Sequence, residues 1–280
     1  MTDEASTTGG GGVPEPGSQH TAAPGGPQAH GPGATLEVVD LSWQVGGAKI
    51  VRGVTFDVAP GEFVGVIGPN GAGKTSLFNL ISGINTSSGG RVLLGGRDIT
   101  RSSIAARARA GIGRTFQTSS LFPRLSVVEN VRIAAQQRLG GNLSILRFPR
   151  SGDDATREAE QHLETVRLSK RKTAAGDLSH GDKRKLEIAM LLAADPQVVL
   201  LDEPMAGVNT SDVPGLTEVI GTLHRRLGRT VLMVEHHIDV VLGLADRVAV
   251  MHHGELLALD APDHIMANET VQSAYLGGVA

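Results

Sequence analysis

The octapeptide GPNGAGKT, residues 68–75, constrains the fold of this 280-residue chain more than any other feature. It matches G-x-x-x-x-G-K-[ST], follows the apolar run EFVGVIG and precedes the helical pattern KTSLFNLISGI, which is the context of a phosphate-binding loop. Glycines let such a loop curl so that backbone N–H groups surround phosphate groups, and the positive end of the following helix strengthens the attraction. The spacing predicts that Lys74 contacts the β- and γ-phosphates and that Thr75 ligates Mg²⁺.

A second apolar run, QVVLLDE, ends in an acidic pair, Asp202 and Glu203. Open α/β sheets place ligands at the carboxyl ends of their strands, which is where these carboxylates fall. Asp202 suits the Mg²⁺ shell, and Glu203 is placed to polarise an attacking water. Taken alone, the pair could simply be surface acids that open a loop before Pro204. Beside a phosphate loop, it predicts nucleotide hydrolysis.

Strand-length apolar runs alternate with helical patterns from Thr35 onward, which indicates an α/β fold. The predicted strands are LEVVDLSWQV, VTFDVAP, EFVGVIG, RVLLGG, a strand ending in GIGRTFQ, QVVLLDE, TVLMVEH and RVAVMHHGELLAL. Between about residues 119 and 195 the strand patterns stop, and SVVENVRIAAQQ and ATREAEQHLETVRL read as helices. We therefore predict one α/β body, residues 35–280, with a helical subdomain inserted at about residues 119–195.

The first 34 residues have a different composition from the rest. They hold nine Gly and five Pro, no Lys or Arg and hardly any large apolar side chain. Such a segment buries too little surface to offset its ordering entropy, so we predict a disordered tail. It lacks the positive start and apolar centre of a secretory signal. Two tail histidines, His20 and His30, are better explained as solvated residues than as metal ligands.

Charge and composition exclude several classes of function. The tail carries Asp3, Glu4 and Glu15, which account for the whole formal charge of −3, so the remaining 246 residues are formally neutral. A neutral body offers no electrostatic footprint for nucleic acid. The absence of cysteine excludes disulfides and permits a reducing compartment. No apolar run approaches the roughly 20 residues that span a bilayer, so a membrane role requires a partner.

The order of five motifs, the phosphate loop, RTFQ, LSHG, LLDEP and VEH, resembles that of the nucleotide-binding subunit of ABC transporters. The resemblance covers about Leu36 to Gly278. It implies a P-loop NTPase fold of the ABC ATPase type, in which an α/β body carries an antiparallel β-subdomain and an inserted helical subdomain. ATP and Mg²⁺ are the implied cofactors.

The same resemblance implies roles for individual residues. Gln117 would sense the metal and the attacking water, His236 would contact the γ-phosphate, and Asn209 would begin the loop between two subunits. The implied metal ligands are Thr75, Gln117 and Asp202. The implied nucleotide-binding residues are Gly68, Pro69, Asn70, Gly71, Ala72, Gly73, Lys74, Thr75 and Ser76, together with Ser179 and Gly181.

The segment LSHGD, residues 178–182, resembles the family signature Leu-Ser-Gly-Gly-Gln and is called the signature segment below. In the family this element begins a helix whose N–H groups close over the γ-phosphate held by a second copy. The resemblance therefore implies a homo- or heterodimer of ATPase subunits. His180 and Asp182 depart from the family pattern, and a carboxylate near phosphate is unfavourable unless it points away.

Three further positions also depart from a familiar pattern. The family's adenine-stacking aromatic would fall at Val45, and Trp43 could substitute for it or pack in the core. His237 stands where the subfamily usually has Asp. The pair His252-His253 resembles a zinc site, although a polar turn before Gly254 explains it better.

GRTFQTSSLFPRLSVVENV, KLEIAMLLAADP, DEPMAGVN and the closing AYLGG resemble the ATPases of branched-chain and hydrophobic amino-acid importers. The implied partners are a second ATPase, two membrane permeases and, indirectly, a solute-binding protein, at the cytoplasmic face of the membrane. Urea-importer ATPases of the same group are an alternative, and a soluble ABC-type ATPase is a weaker one. A GTPase or small-molecule kinase would leave the signature segment unexplained. Leu121, Phe122 and Leu125 would either contact a permease or lie in the core.

Overall fold

The computed structural model describes residues 33–115, 121–140 and 153–276, so the predicted tail up to residue 32 and Gln117 lie outside the described residues. The strands are numbered along the chain: β1 Leu36–Val45, β2 Ala48–Val58, β3 Phe63–Ile67, β4 Gly89–Leu94, β5 Arg97–Asp98, β6 Ile112–Arg114, β7 Val198–Asp202, β8 Thr230–Val234, β9 Arg247–His252 and β10 Glu255–Asp260. The helices are α1 Lys74–Ser82, α2 Ile104–Arg109, α3 Val127–Gly140, α4 Asp154–Thr165, α5 His180–Ala193, α6 Val213–Arg225, α7 Ile238–Leu244, α8 Pro262–Ala267 and α9 Glu269–Leu276.

An antiparallel sheet with strand order β2-β1-β4-β5 forms the N-terminal layer. Strand β2 begins at Ala48, six residues earlier than the predicted run VTFDVAP. The reason is a hairpin turn: Gly46 and Gly47 have φ values of 55° and 86°, and Val45 pairs with Ala48 across them. Two central residues with positive φ are the geometry of a tight type I′ hairpin, which glycine adopts without strain.

A mixed sheet with strand order β10-β9-β3-β8-β7-β6 forms the centre of the molecule. Strands β9, β3, β8, β7 and β6 are parallel, and β10 pairs antiparallel with β9 at the edge. The predicted run RVAVMHHGELLAL divides into β9 and β10 at His253 and Gly254, both of which have positive φ. Every residue of β3, β7 and β8 is buried, as expected for strands covered on both faces.

The two faces of the central sheet bury different partners. Val64 and Val66 of β3 pack in a core with α1 and the antiparallel sheet. Phe63 and Ile67 point the other way, into a core shared with the helices from α3 to α7. Side chains alternate between these two faces along each strand. This alternation decides which residues at the strand ends face α1.

The helical subdomain occupies the connection between β6 and β7. Helices α3, α4 and α5 contribute Val131, Leu163 and Leu186 to the second core. A single antiparallel bridge between Ser126 and Ala174 ties the start of α3 to the segment before α5. These helices lie within the segment predicted from sequence, about residues 119–195.

The described part of the chain begins with two residues that contact the body. Gly33 donates its N–H to the carbonyl of Gly228 at 2.8 Å, and the carbonyl of Ala34 accepts from the hydroxyl of Thr230 at 2.9 Å. Both residues were assigned to the tail from sequence. Thr230 is fully buried, so these hydrogen bonds make Gly33 and Ala34 part of the body.

Candidate nucleotide-binding and hydrolysis site

The phosphate loop connects β3 to α1, and its geometry requires glycine. Gly73 has φ of 95°, and a Cβ there would lie 2.9 Å from the carbonyl oxygen of Ile50. Helix α1 begins at the next residue, Lys74, with Thr75 and Ser76 half-buried in its first turn. The free N–H groups of that turn lie at the loop, which is the arrangement that binds anions.

The side chain of Lys74 folds back onto the loop itself. Its Nζ donates to the carbonyl oxygens of Gly68 at 2.7 Å and Pro69 at 3.0 Å, and the residue is only 6% exposed. Burial lowers the pKa of Lys74, while the carboxylates of Glu203 and Asp202 oppose that change. Nζ of Lys74 can therefore exchange these two carbonyl oxygens for phosphate oxygens. It lies close to the carboxylates of Asp202 and Glu203.

Asp202 ends β7 and is 1% exposed on the face of the sheet that packs against α1. Its Oδ2 accepts from Nη2 of Arg114 at 2.6 Å. Its Oδ1 is buried and has no hydrogen-bond partner among the described residues. Burial raises the pKa of Asp202, and the bond from Arg114 opposes that rise. A buried carboxylate oxygen without a donor fits a divalent cation, because Mg²⁺ takes carboxylate and hydroxyl oxygens such as those of Asp202 and Thr75.

Glu203 and His236 form a pair. Simple alternation would point Glu203 away from α1, but the residue has φ of 48°, which reorients its side chain. Nε2 of His236 lies 2.9 Å from Oε1 of Glu203. An ionised carboxylate only accepts, so Nε2 carries the proton. Positive φ at a non-glycine residue is strained, and such strain concentrates at functional sites.

The adjacent His237 pairs with a different acid on the other face of β8. Its Nδ1 lies 2.7 Å from Oε1 of Glu235, a carboxylate that is 2% exposed and whose Oε2 has no partner among the described residues. Neighbouring residues in extended backbone point to opposite faces. Of the two histidines, therefore, His236 lies with Glu203 and His237 lies with Glu235.

The signature segment begins α5, as predicted. Ser179 is the N-cap residue, and its hydroxyl accepts from the backbone N–H of Asp182 at 3.2 Å. Asp182 turns toward Lys170, whose Nζ lies 2.9 Å from its Oδ2. The negative charge of Asp182, which stands where the family has glutamine, is thus offset by the ammonium group of Lys170. Gly181 is tightly packed, because a Cβ there would lie 2.9 Å from Cβ of Asp212.

Several residues that were singled out from the sequence lie away from the phosphate loop and from the pair Asp202 and Glu203. Val45 is 52% exposed, and Trp43 packs against the core under the antiparallel sheet, which favours the core interpretation. His252 and His253 lie at the β9–β10 turn with ring centroids 4.0 Å apart. No group of three or more His, Cys, Asp or Glu side chains that could hold a metal ion occurs within residues 33–115, 121–140 and 153–276.

A groove of about 330 Å³ lies between the α/β body and the helical subdomain. Its lining includes Ile84 and Ile104, which are exposed, and Leu121, which also packs on the core. Beside it, Phe122 is 47% exposed, so the alternative in which Leu121, Phe122 and Leu125 are all buried is wrong. No helix of the described residues is both long and apolar enough to cross a bilayer.

The sequence matches the family described as ABC transporter over residues 51–206. It is also 37% identical over 248 residues to the high-affinity branched-chain amino acid transport ATP-binding protein LivG of Escherichia coli K12, covering 86% of this chain and 97% of LivG. The chain belongs to the ABC transporter family.

Two further ABC relatives show how widely this cassette is used. The lipopolysaccharide export system ATP-binding protein LptB of Escherichia coli K12 is 35% identical over 87% of this chain and 98% of its own. The ADP conformation of MJ1267, an ATP-binding cassette of an ABC transporter, superimposes with a TM-score of 0.77 at 30% identity, covering 87% of this chain and 99% of that one. The predicted ABC ATPase fold is confirmed, and the chain is an ATP-binding and ATP-hydrolysing cassette.

No role was assigned from the sequence to Arg114, which binds Asp202 in this ABC site. Glu235, which pairs with His237 on the other face of β8, was not named either. A signal for Arg114 existed, since it is the first residue of RTFQ and ends a predicted strand, so it could have been placed beside the acidic strand end. Gln117 itself lies outside the described residues.

Proposed function

We propose that this cassette energises an importer of branched-chain or other hydrophobic amino acids from the cytoplasmic face of the membrane. The similarity to LivG over nearly its whole length supports that cargo class. Hydrolysis by the proposed residues rests above all on one observation, the contact of Glu203 with His236 beside the buried Asp202. The similarity to LptB makes lipopolysaccharide export the outcome that a transport assay has to exclude.

ATP binding begins at the phosphate loop. Residues 68–76 surround the phosphates with backbone N–H groups and the hydroxyls of Thr75 and Ser76. Lys74 exchanges the carbonyl oxygens of Gly68 and Pro69 for phosphate oxygens. Thr75 and Asp202, with Gln117, would hold Mg²⁺, which neutralises charge on the phosphate oxygens when bound.

The Glu203–His236 pair opens before hydrolysis in this proposal, because the 2.9 Å contact engages both Oε1 of Glu203 and Nε2 of His236. His236 then donates its Nε2–H to the γ-phosphate instead of to Glu203. The released Oε1 of Glu203 accepts a proton from the attacking water as a general base. The pair thus keeps the base occupied until a γ-phosphate competes for His236.

The signature segment acts on a second ATPase subunit, identical or different. Ser179 and the N-terminus of α5 would close over the γ-phosphate bound by that subunit. Gly181 keeps this turn packed against Asp212, and Lys170 offsets the charge of Asp182. Asn209 is exposed just before α6, where it can take part in the subunit contact.

One of the two permease subunits docks in the groove through a short helix, and the solute-binding protein acts through the permeases. Exposed apolar side chains at Ile84, Ile104 and Phe122 favour a protein partner there. The backbone of Phe122 is fixed, because its N–H donates to Oδ1 of the fully buried Asn130 at 2.8 Å and its carbonyl accepts from Nδ2 at 3.2 Å. A rigid backbone presenting an exposed ring is suited to serve as an interface anchor.

The experiment is reconstitution with candidate permeases and a solute-binding protein from the same organism, in proteoliposomes that contain ATP. We expect uptake of labelled leucine that depends on ATP, with no uptake of urea. Uptake of urea would show that the cargo is that of the related urea importers and not an amino acid. Extraction of lipopolysaccharide would show that the transporter exports its cargo and would contradict import. ATP turnover with no membrane partner at all would favour a soluble ATPase.

A further inference from the structure

Arg114 joins three elements at the carboxyl edge of the central sheet. Its Nη2 donates to Oδ2 of Asp202 at 2.6 Å. Its Nη1 donates to Oδ1 of Asn79 at 2.8 Å and to the hydroxyl of Ser82 at 2.7 Å, both on α1. The guanidinium carbon lies 5.8 Å from the ring centroid of Phe78 on the same helix.

The ion pair of Arg114 and Asp202 is buried, which restricts its geometry. The side chains of Arg114 and Asp202 are 7% and 0% exposed. A guanidinium presents its donors in a fixed plane, so contacts to α1 and to β7 fix the two elements relative to each other. Only Oδ2 of Asp202 is taken, while Oδ1 has no partner among the described residues.

Helix α1 also carries Thr75, the other proposed metal ligand described by the structure. Arg114 thus contacts Asp202 directly and the helix of Thr75 through Asn79 and Ser82. Partners that orient a metal ligand typically change metal affinity by about 10–100-fold when they are removed.

We propose that Arg114 is a positioning residue for the divalent cation bound with ATP. It holds Asp202 by Oδ2, keeps Oδ1 free for the cation, and fixes that carboxylate relative to the first turn of α1. This inference rests on the proposed Mg²⁺ site. It assigns a role in metal binding to a residue that touches neither nucleotide nor water in the proposed reaction.

Arg107 offers a matched control in the same groove wall. It is 3% exposed, and its guanidinium donates to the backbone carbonyls of Leu80 and Ile81, both at 2.6 Å, and of Thr100 at 2.7 Å. It is thus a buried arginine that holds α1 without a described contact to Asp202. A purely structural effect of losing a buried guanidinium would appear equally at Arg107 and Arg114.

The experiment compares Arg114→Lys with Arg107→Lys, because lysine keeps the charge but cannot span three acceptors in one plane. The affinity for a fluorescent ATP analogue is measured with Mn²⁺ and with EDTA, and the Mn²⁺ environment is followed by electron paramagnetic resonance. We expect Arg114→Lys to lower the Mn²⁺-to-EDTA affinity ratio about tenfold, with EDTA affinity nearly unchanged. Arg107→Lys should leave the ratio at the wild-type value.

A second variant, Asn79→Ala, keeps the ion pair and removes one contact to α1, at a helical position where alanine is well tolerated. We expect a smaller fall in the same ratio and a normal thermal melt. If Arg114→Lys and Asn79→Ala both keep the wild-type Mn²⁺-to-EDTA affinity ratio, the role of Arg114 is overturned. The same holds if Arg107→Lys lowers that ratio as much as Arg114→Lys does. If Mn²⁺ does not raise the nucleotide affinity of the wild-type protein, the proposed metal site fails together with this role.

Discussion

Nε2 of His236 lies 2.9 Å from Oε1 of Glu203, although the two residues are 33 positions apart and follow different strands. Because Asp202 pairs in register with Val234, the ends of β7 and β8 lie side by side. The positive φ of Glu203 then brings its carboxylate to the face that His236 occupies. The proposed base and the proposed γ-phosphate contact thus form one hydrogen-bonded unit.

The adjacent histidines should respond differently to truncation. His236→Ala should nearly abolish ATP turnover in the assembled transporter with little change in stability, since His236 is exposed. His237→Ala should keep most turnover but lower the free energy of unfolding by about 1–3 kcal/mol, because the buried Glu235 loses its described partner. Steady-state turnover and urea denaturation of both variants test this. The opposite pattern would mean that the alignment is shifted by one residue.

Lys74→Ala should weaken ATP binding at least tenfold, because a buried ammonium that faces the phosphates is lost. The exposed Lys172 provides the control, and Lys172→Ala should bind ATP like the wild-type protein. Titration of a fluorescent ATP analogue measures both affinities. Unchanged binding by the Lys74 variant would remove this residue from the site.

The start of the body can be located by two deletions. Removal of residues 1–32 should leave ATP binding, assembly and stability unchanged. Removal of residues 1–34 should lower the free energy of unfolding by about 1–3 kcal/mol, because the bonds of Gly33 to Gly228 and of Ala34 to Thr230 are lost. Thermal melts of the two proteins decide this. A loss in the shorter deletion would show that the tail contributes to folding.

Phe122→Ala should fold and bind ATP normally, because the ring is substantially exposed. It should weaken association with the permeases by about 2 kcal/mol or more, as aromatic anchors often do. Met266, an exposed residue on α8, provides the control, and Met266→Ala should co-purify with the permeases like the wild type. Unchanged co-purification of the Phe122 variant would reject the docking role, and unfolding of the isolated variant would show that the ring supports the core.

The sequence predicted those parts of the fold in which chemistry restricts both residue type and spacing. The phosphate loop needs glycines and Lys74 at fixed offsets, and the strand before Asp202 needs a continuous apolar run. The start of β2 was less clear, because AKIVRG mixes charged and apolar residues and depends on the turn at Gly46 and Gly47 for its pairing.

Long-range side-chain contacts were beyond sequence reasoning. Arg114 and Asp202 are 88 residues apart, and only the pairing of β6 with β7 brings them together. The turn of Glu203 depends on its backbone angle, which alternation of side chains could not predict. The role of Gln117 stays a prediction, since that residue lies outside the described part of the chain.

The most direct test of the central claim is the hydrolysis rate of Glu203→Gln in the assembled transporter, measured together with its ATP affinity. The glutamine can still contact His236 but cannot accept a proton from water. We predict wild-type ATP affinity and hydrolysis slowed by about 10²–10⁴-fold, the usual range for loss of a general base. Near-normal turnover in this variant would contradict the assignment of Glu203 and the mechanism built on its contact with His236.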